Sequence, residues 1–177
     1  MTTEPILESG ISFGPYPTGQ FFYIEKSKTY LAIQDGVKIA EFLIFALNNS
    51  GPRIWIIEAK SSSPRPETVP NFDEFLQEIA DKLSNSLNLY IAIYLKRHPS
   101  TCGELPSCFQ VIDLDQIEFR LILIIKNHQL SWLPPLQDEL RKKLKVTVKV
   151  WDLVPTSVLV LNEDLARESQ ILAFDAE

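Results

Sequence analysis

The chain has 177 residues, of which 45% are hydrophobic, and a formal net charge of −6. This apolar fraction excludes a disordered chain and is enough for one domain with a sizeable core, which we expect to span residues 1–177. There is no run of about 18 apolar residues, so no membrane span is expected. The start, MTTEPILESG, lacks the basic and apolar pattern of a secretory signal, which predicts a soluble cytoplasmic protein. The negative charge disfavours a protein that coats nucleic acid without specificity.

The beginning of the chain is predicted to lie outside the core. Residues 1–19 are rich in glycine and proline, which predicts a loose N-terminal arm. The stretch QFFYIEKSKTYLAIQDG then predicts a short strand and a helical turn that ends at Asp35-Gly36. We expect the core to run from about residue 20 to 151, followed by a C-terminal extension at 152–177.

Two apolar stretches predict the central hairpin. VKIAEFLIFAL and RIWIIEAK are nearly continuous apolar runs, as is typical of strands covered on both faces, and NNSG between them predicts a compact turn. A long helix is predicted from Asn71 to about Lys96, with Asn71 as its N-cap and Glu74 completing a capping box.

The rest of the chain alternates between strands and helices. FRLILIIK predicts a third apolar strand, and LPPLQDELRKKL predicts a helix with proline in its first turn. KVTVKVWD alternates valine with polar residues, which predicts a strand near an edge. The tail SVLVLNEDLARESQILAF predicts a short strand and a short helix. The order predicts an α/β sandwich with a central mixed β-sheet flanked by helices.

Charged side chains stand at the end of the predicted hairpin. Glu58 and Lys60 are two residues apart and therefore share one face of their strand. If residues 48–51 form the loop, Leu47 lies opposite Pro52, and Glu41 then lies directly opposite Glu58. Two opposed carboxylates are destabilising unless a cation lies between them, and carboxylate oxygens suit Mg²⁺ or Mn²⁺.

The sequence also allows a second pairing register for the two strands of the hairpin. A shift of two residues would bring Glu41 opposite Lys60 and form a cross-strand salt bridge without a metal. A buried ion pair seldom stabilises a fold, whereas buried charges cluster at functional sites.

An acid on the first strand and Glu-x-Lys on the second resemble the PD-(D/E)XK nuclease superfamily, which has the restriction-endonuclease-like fold. The matching segments are AEFLIF with Glu41 and IIEAK with Glu58, Ala59 and Lys60, and the order of the following elements extends the likeness over about residues 20–150. The usual first acid of that family is aspartate, often after proline, whereas here Glu41 follows Ala40.

The resemblance implies a role for each of these residues. Glu41, Glu58 and the main-chain carbonyl of Ala59 would bind Mg²⁺ or Mn²⁺, and Lys60 would orient or help deprotonate the attacking water. Glu25 lies where many members supply a further acid. Gln77 lies where one branch has a glutamine, but that branch has tyrosine four residues later, and Asp81 stands there instead.

The implied function is a metal-dependent nuclease that hydrolyses phosphodiester bonds, with DNA as the expected substrate, in a defence, restriction or mobile-element context. The alternative is a catalytically inactive nuclease-like binding or assembly module. Cutting both strands of a duplex would call for a homodimer or a partner subunit.

Other chemical groups give weaker signals. Cys102 and Cys108 are expected to be free thiols, and His128 is expected to be a loop residue. The basic run RKKLKVTVK (141–149) is interpreted as a solvated helix end, with a nucleic-acid contact as the alternative.

Overall fold

A computed structural model of the protein describes residues 2–48 and 51–173. Seven strands occur in this part of the chain: β1 (Ile6–Glu8), β2 (Ile11–Phe13), β3 (Phe21–Phe22), β4 (Phe42–Asn48), β5 (Gly51–Lys60), β6 (Glu118–Ile125) and β7 (Val158–Asn162). Six α-helices accompany them: α1 (Lys28–Ile33), α2 (Asn71–Tyr94), α3 (Ser107–Gln110), α4 (Leu133–Lys143), α5 (Lys145–Val150) and α6 (Glu163–Glu168). No helix in the described ranges has the length and apolar character needed to cross a bilayer.

The central sheet is mixed and has five strands in the order β3-β4-β5-β6-β7. The pairs β3–β4 and β4–β5 are antiparallel, whereas β5–β6 and β6–β7 are parallel. Each parallel connection contains a long helix, α2 or α4, and both helices pack on one face of the sheet. The predicted α/β class and mixed sheet are confirmed.

The predicted hairpin register is confirmed by the β4–β5 pairing. Leu47 lies opposite Pro52, and Phe42 lies opposite Ile57. The shifted register that would place Glu41 opposite Lys60 is therefore wrong. The predicted turn falls mainly on residues 49 and 50, which lie outside the described residues, but Asn48 and Gly51 on either side pair with each other.

The prediction of a loose N-terminal arm is wrong. β1 and β2 form an antiparallel hairpin whose two-residue turn, Ser9-Gly10, has positive φ at both positions, as the right-handed strand twist favours. Ile11, Phe13 and Tyr16 are fully buried against the second face of the central sheet. Glycine and proline here shape a tight packed segment.

The long helix is confirmed, but its predicted cap is wrong. Asn71 is the first helical residue, and Pro70 occupies the N-cap position with no side-chain cap. Backbone carbonyls replace the capping box, since Thr68 and Pro70 accept hydrogen bonds from the N–H groups of Phe72 and Glu74.

The segment KVTVKVWD forms a helix, α5, up to Val150 and not a strand. It continues from α4 almost without interruption, and Leu144, at the junction, accepts a hydrogen bond from the N–H of Val148. Val148 and Trp151 pack on the core, whereas Val150 is exposed. Tertiary packing and the preceding helix outweigh the strand preference of the valines.

The tail is also more central than predicted. β7 and α6 confirm the predicted strand and helix. However, β7 pairs with β6 and so belongs to the central sheet, and the core therefore extends beyond residue 151.

Candidate functional site

Glu41 lies at the start of β4, where three neighbouring elements hold its backbone. Its N–H donates to the carbonyl of Ile57 (3.1 Å), and its carbonyl accepts from the N–H of Glu25 (3.3 Å). The preceding N–H, of Ala40, donates to Ser86 Oγ on α2 (2.8 Å). The β4–β5 pairing ends at Phe42 opposite Ile57, and the buried carboxylate of Glu41, one residue earlier, lies close enough to Glu58 for their charges to interact.

Glu58 is fully buried near the end of β5 and has two cationic partners. Its Oε1 accepts from Lys82 Nζ on α2 (2.8 Å) and lies 3.0 Å from Lys60 Nζ. Lys60 also lies 3.7 Å from Glu78, one helical turn before Lys82. Burial raises the pKa of Glu58, and the two ammonium groups oppose this effect without cancelling it.

The carboxyl group of Glu41 lacks comparable compensation. Burial raises its pKa to about 8, with further contributions from Glu58, from a hydrogen bond with the Glu25 side chain and from Glu8. The pKa of Tyr23 is raised as well, mainly by burial and by its 2.5 Å hydrogen bond to Glu8. Four glutamates thus form an acidic cluster at the end of the central hairpin, which we call the carboxylate cluster (Glu8, Glu25, Glu41 and Glu58).

The main-chain carbonyl of Ala59 points along the same edge. The carbonyl of Ile57, two residues earlier, accepts from Glu41, and that of Ala59 therefore points to the same side, beyond the start of β4. It accepts a hydrogen bond from Ser9 Oγ (2.9 Å) in the turn between β1 and β2. A carbonyl has two lone pairs, so this bond leaves one acceptor position.

The carboxylate and carbonyl oxygens at this corner are the kind of ligand that a hard divalent cation prefers. Glu58 Oε2 is buried and has no hydrogen-bond partner among the described residues, so one carboxylate oxygen is left for a ligand. The carboxyl of Glu41 holds a proton up to about pH 8, a position that a cation could take instead. Within 2–48 and 51–173, however, no three His, Cys, Asp or Glu side chains are arranged as a metal cage. The oxygen donors that a cation would find here are the carboxylates of Glu41 and Glu58 and the main-chain carbonyl of Ala59.

The structure brings all five predicted site residues to one corner: Glu25, Glu41, Glu58, Ala59 and Lys60. Gln77 is exposed and bonds to Asp81 instead.

Two members of the corner were not predicted from the sequence. Lys82 interrupts the apolar stripe of α2 between Ile79 and Leu83, which was a signal for a buried lysine partner. Glu8 was hidden by the prediction of an arm, although Ser9-Gly10 between two alternating segments is typical of a hairpin.

The weaker sequence signals have mainly structural explanations. In the described part of the chain, Cys102 and Cys108 are free, as predicted. His128 lies in the loop after β6, also as predicted. Three cations of the basic run form salt bridges, in the pairs Arg141–Asp138, Lys142–Glu139 and Lys143–Asp73. These pairs favour the interpretation of a solvated helix end.

No protein-family model, curated protein or solved structure matches the chain.

Proposed function

We propose that the protein is a metal-dependent nuclease of the PD-(D/E)XK type, with a restriction-endonuclease-like fold, that hydrolyses phosphodiester bonds in DNA. The observation that carries the proposal is the meeting of two buried carboxylates, Glu41 and Glu58, at the end of the central hairpin, with the ammonium group of Lys60 3.0 Å from Glu58. The order of hairpin, helix, parallel strand and helix around this corner gives further support.

The burial of the carboxyl groups at this corner is better explained by a catalytic role than by a contribution to the stability of the fold. Glu58 and Glu41 are both removed from water, and the pKa values of both are raised. Such an arrangement lowers the stability of the fold, and groups of this kind concentrate at functional sites.

In the proposed reaction, Glu41, Glu58 and the carbonyl of Ala59 hold Mg²⁺ or Mn²⁺. The bound ion would lower the pKa of water and neutralise charge on the phosphate. Lys60 lies at the edge of the corner with a partly exposed ammonium group, so it can reach a phosphate oxygen or the attacking water. Lys82 favours the ionised form of the Glu58 carboxylate, against the effect of burial, and orients it from the helix side. Glu25 positions the carboxyl of Glu41.

The second candidate is a nuclease-like binding or assembly module without catalytic activity. The observation that favours it is the ion pairing of Glu58 with both Lys60 and Lys82, which balances the buried charge without a metal. In that case the three side chains are a structural unit, and metal ions do not bind.

Calorimetric titration with Mg²⁺ and Mn²⁺ separates the two candidates. Wild-type protein is expected to bind and Glu58→Gln is expected not to. Glu118→Gln, which removes a glutamate paired with Arg53 and Arg120 elsewhere in the sheet, is the matched control and should bind as the wild type does. Since Glu41 is protonated below about pH 8, binding at pH 7 should release a proton, which titrations in buffers of different ionisation enthalpy would count.

Cleavage of labelled single- and double-stranded DNA then tests the reaction. Lys60→Ala should lower the cleavage rate by about a hundredfold or more, as loss of a group that stabilises transition-state charge does. Lys145→Ala, which removes an exposed lysine of α5, is the charge-matched control and should cleave at the wild-type rate. Absence of metal binding, both in free protein and in the presence of DNA, would refute the nuclease and leave the binding module.

A further inference from the structure

A cavity of about 650 Å³ opens where β5 and β6 end, directly after Lys60. Its walls are the loops that follow the two strands and the first turns of α2 and α4, represented by Phe72 and Pro135. The cavity therefore lies on the same sheet face as Glu58, beyond the edge of the carboxylate cluster. The ends of parallel strands are a common place for ligand sites in open α/β sheets, and this volume is within the range of ligand pockets.

Two cations line the cavity. Arg65 is exposed in the loop after β5 and has no salt-bridge partner among the described residues. Lys126 follows β6, and its N–H donates to the carbonyl of Lys60 (2.9 Å), which fixes it beside the candidate catalytic lysine. Its ammonium group lies over Gly10 in the β1–β2 turn, which packs on the opposite face of the sheet, so Arg65 is the cation available to a ligand in the cavity. A single acid, Glu67, lines the cavity among the described residues, so its lining has a positive balance in an acidic protein.

Hydroxyl groups and an aromatic ring complete the lining. Ser61, Ser62 and Ser63 supply donors and acceptors beside the cations. Trp132 is 48% exposed, and the ring of His128 packs against it at a centroid distance of 5.4 Å. A half-exposed indole in the lining of such a cavity offers a surface on which a base can stack.

We propose that this cavity binds one unpaired nucleotide of a single-stranded segment, with its base stacked on Trp132 and its phosphate bound by Arg65. The proposal deepens the nuclease function and rests on it for the identity of the polymer. The nucleotide is unpaired because both faces of a base inside a duplex are covered by its neighbours, so only an unstacked base can reach the ring. The substrate is then single-stranded DNA, or a duplex with a single-stranded end, whose next phosphodiester lies at Lys60.

The test is a binding measurement without metal, so that it does not depend on cleavage. Fluorescence anisotropy of a labelled oligothymidylate of about 12 nucleotides is followed in EDTA, with the matching duplex for comparison. Wild type is expected to bind the single strand at least about tenfold more tightly than the duplex. Trp132→Ala should weaken single-strand binding by between about five- and a hundredfold, and Trp132→Phe should restore most of it because the aromatic plane is kept.

The contact between Arg65 and the phosphate is tested through the salt dependence of the same measurement. Arg65→Ala should lower the slope of log Kd against log salt by about 0.7, the value for one phosphate contact on a single strand. Lys145→Ala removes the same charge at the start of α5, away from the cavity, and should leave the slope unchanged.

Three results would overturn the proposal. They are equal affinity for the duplex, wild-type affinity in Trp132→Ala, and displacement of the oligonucleotide by inorganic phosphate at equal concentration, which would indicate a simple anion site. Failure of the nuclease proposal is a separate result, since it would show as no metal binding and no cleavage while the single strand is still bound through Trp132.

Discussion

The carboxyl group of Glu41 makes the stability of this protein depend on pH in a defined direction. Its pKa is raised in the folded chain from an ordinary value of 4.5 to about 8. The folded state therefore holds the proton more strongly than the unfolded state. The resulting stability is fully present below pH 4.5 and is lost as the pH rises to about 8. Glu41→Gln keeps the shape of the neutral carboxyl and removes the titration.

The size of the effect follows from the displacement of the pKa. The whole displacement corresponds to about 5 kcal/mol, since one pH unit is about 1.36 kcal/mol. The corner is open on the Lys60 side, where that side chain is 26% exposed, so solvent screening reduces the measurable part. We expect Glu41→Gln to gain about 1–3 kcal/mol in free energy of unfolding, relative to wild type, between pH 5.5 and pH 8.5.

Urea denaturation of both proteins at these two pH values measures the effect. Glu168→Gln, which neutralises an exposed glutamate at the end of α6, is the control and should show no such gain. If the stability difference between Glu41→Gln and wild type were the same at both pH values, or smaller at pH 8.5, the carboxyl would not be protonated in the folded chain.

Three further predictions concern stability, and urea denaturation at pH 7 checks each. Val148→Ser should lower the free energy of unfolding by about 1–2 kcal/mol and Val150→Ser by less than about 0.5, since in a helix only Val148 faces the protein core. Equal losses for the two variants would indicate a strand, in which both side chains share a face. Ile11→Ala should lower the free energy of unfolding by about 2–4 kcal/mol because the β1–β2 hairpin is packed on the core. An unchanged midpoint of urea denaturation would instead support a loose N-terminal arm. Lys82→Met should destabilise by about 2–4 kcal/mol because Glu58 loses its shorter ion pair, whereas a neutral effect would mean that Lys60 alone balances the charge.

The sequence determined the parts of this protein that depend on local pattern. The apolar runs of β4, β5 and β6, the stripe of α2 and the proline-led start of α4 predicted the sheet class and the order of elements. The spacing of the hairpin predicted the pairing of Leu47 with Pro52, and with it the approach of Glu41 to Glu58 beyond the end of the paired segment. These features follow from alternation and helical periodicity, which act over a few residues.

Only the tertiary structure decided what depends on contacts between distant segments. Lys82 reaches Glu58 across 24 residues, and Ser9 reaches Ala59 across 50, so neither partnership has a local signature. The valine pattern of α5 favours a strand locally, but its continuity with α4 and the burial of Val148 make it a helix. The raised pKa of Glu41 likewise arises from burial and from acids on three other segments, which only the folded chain brings together.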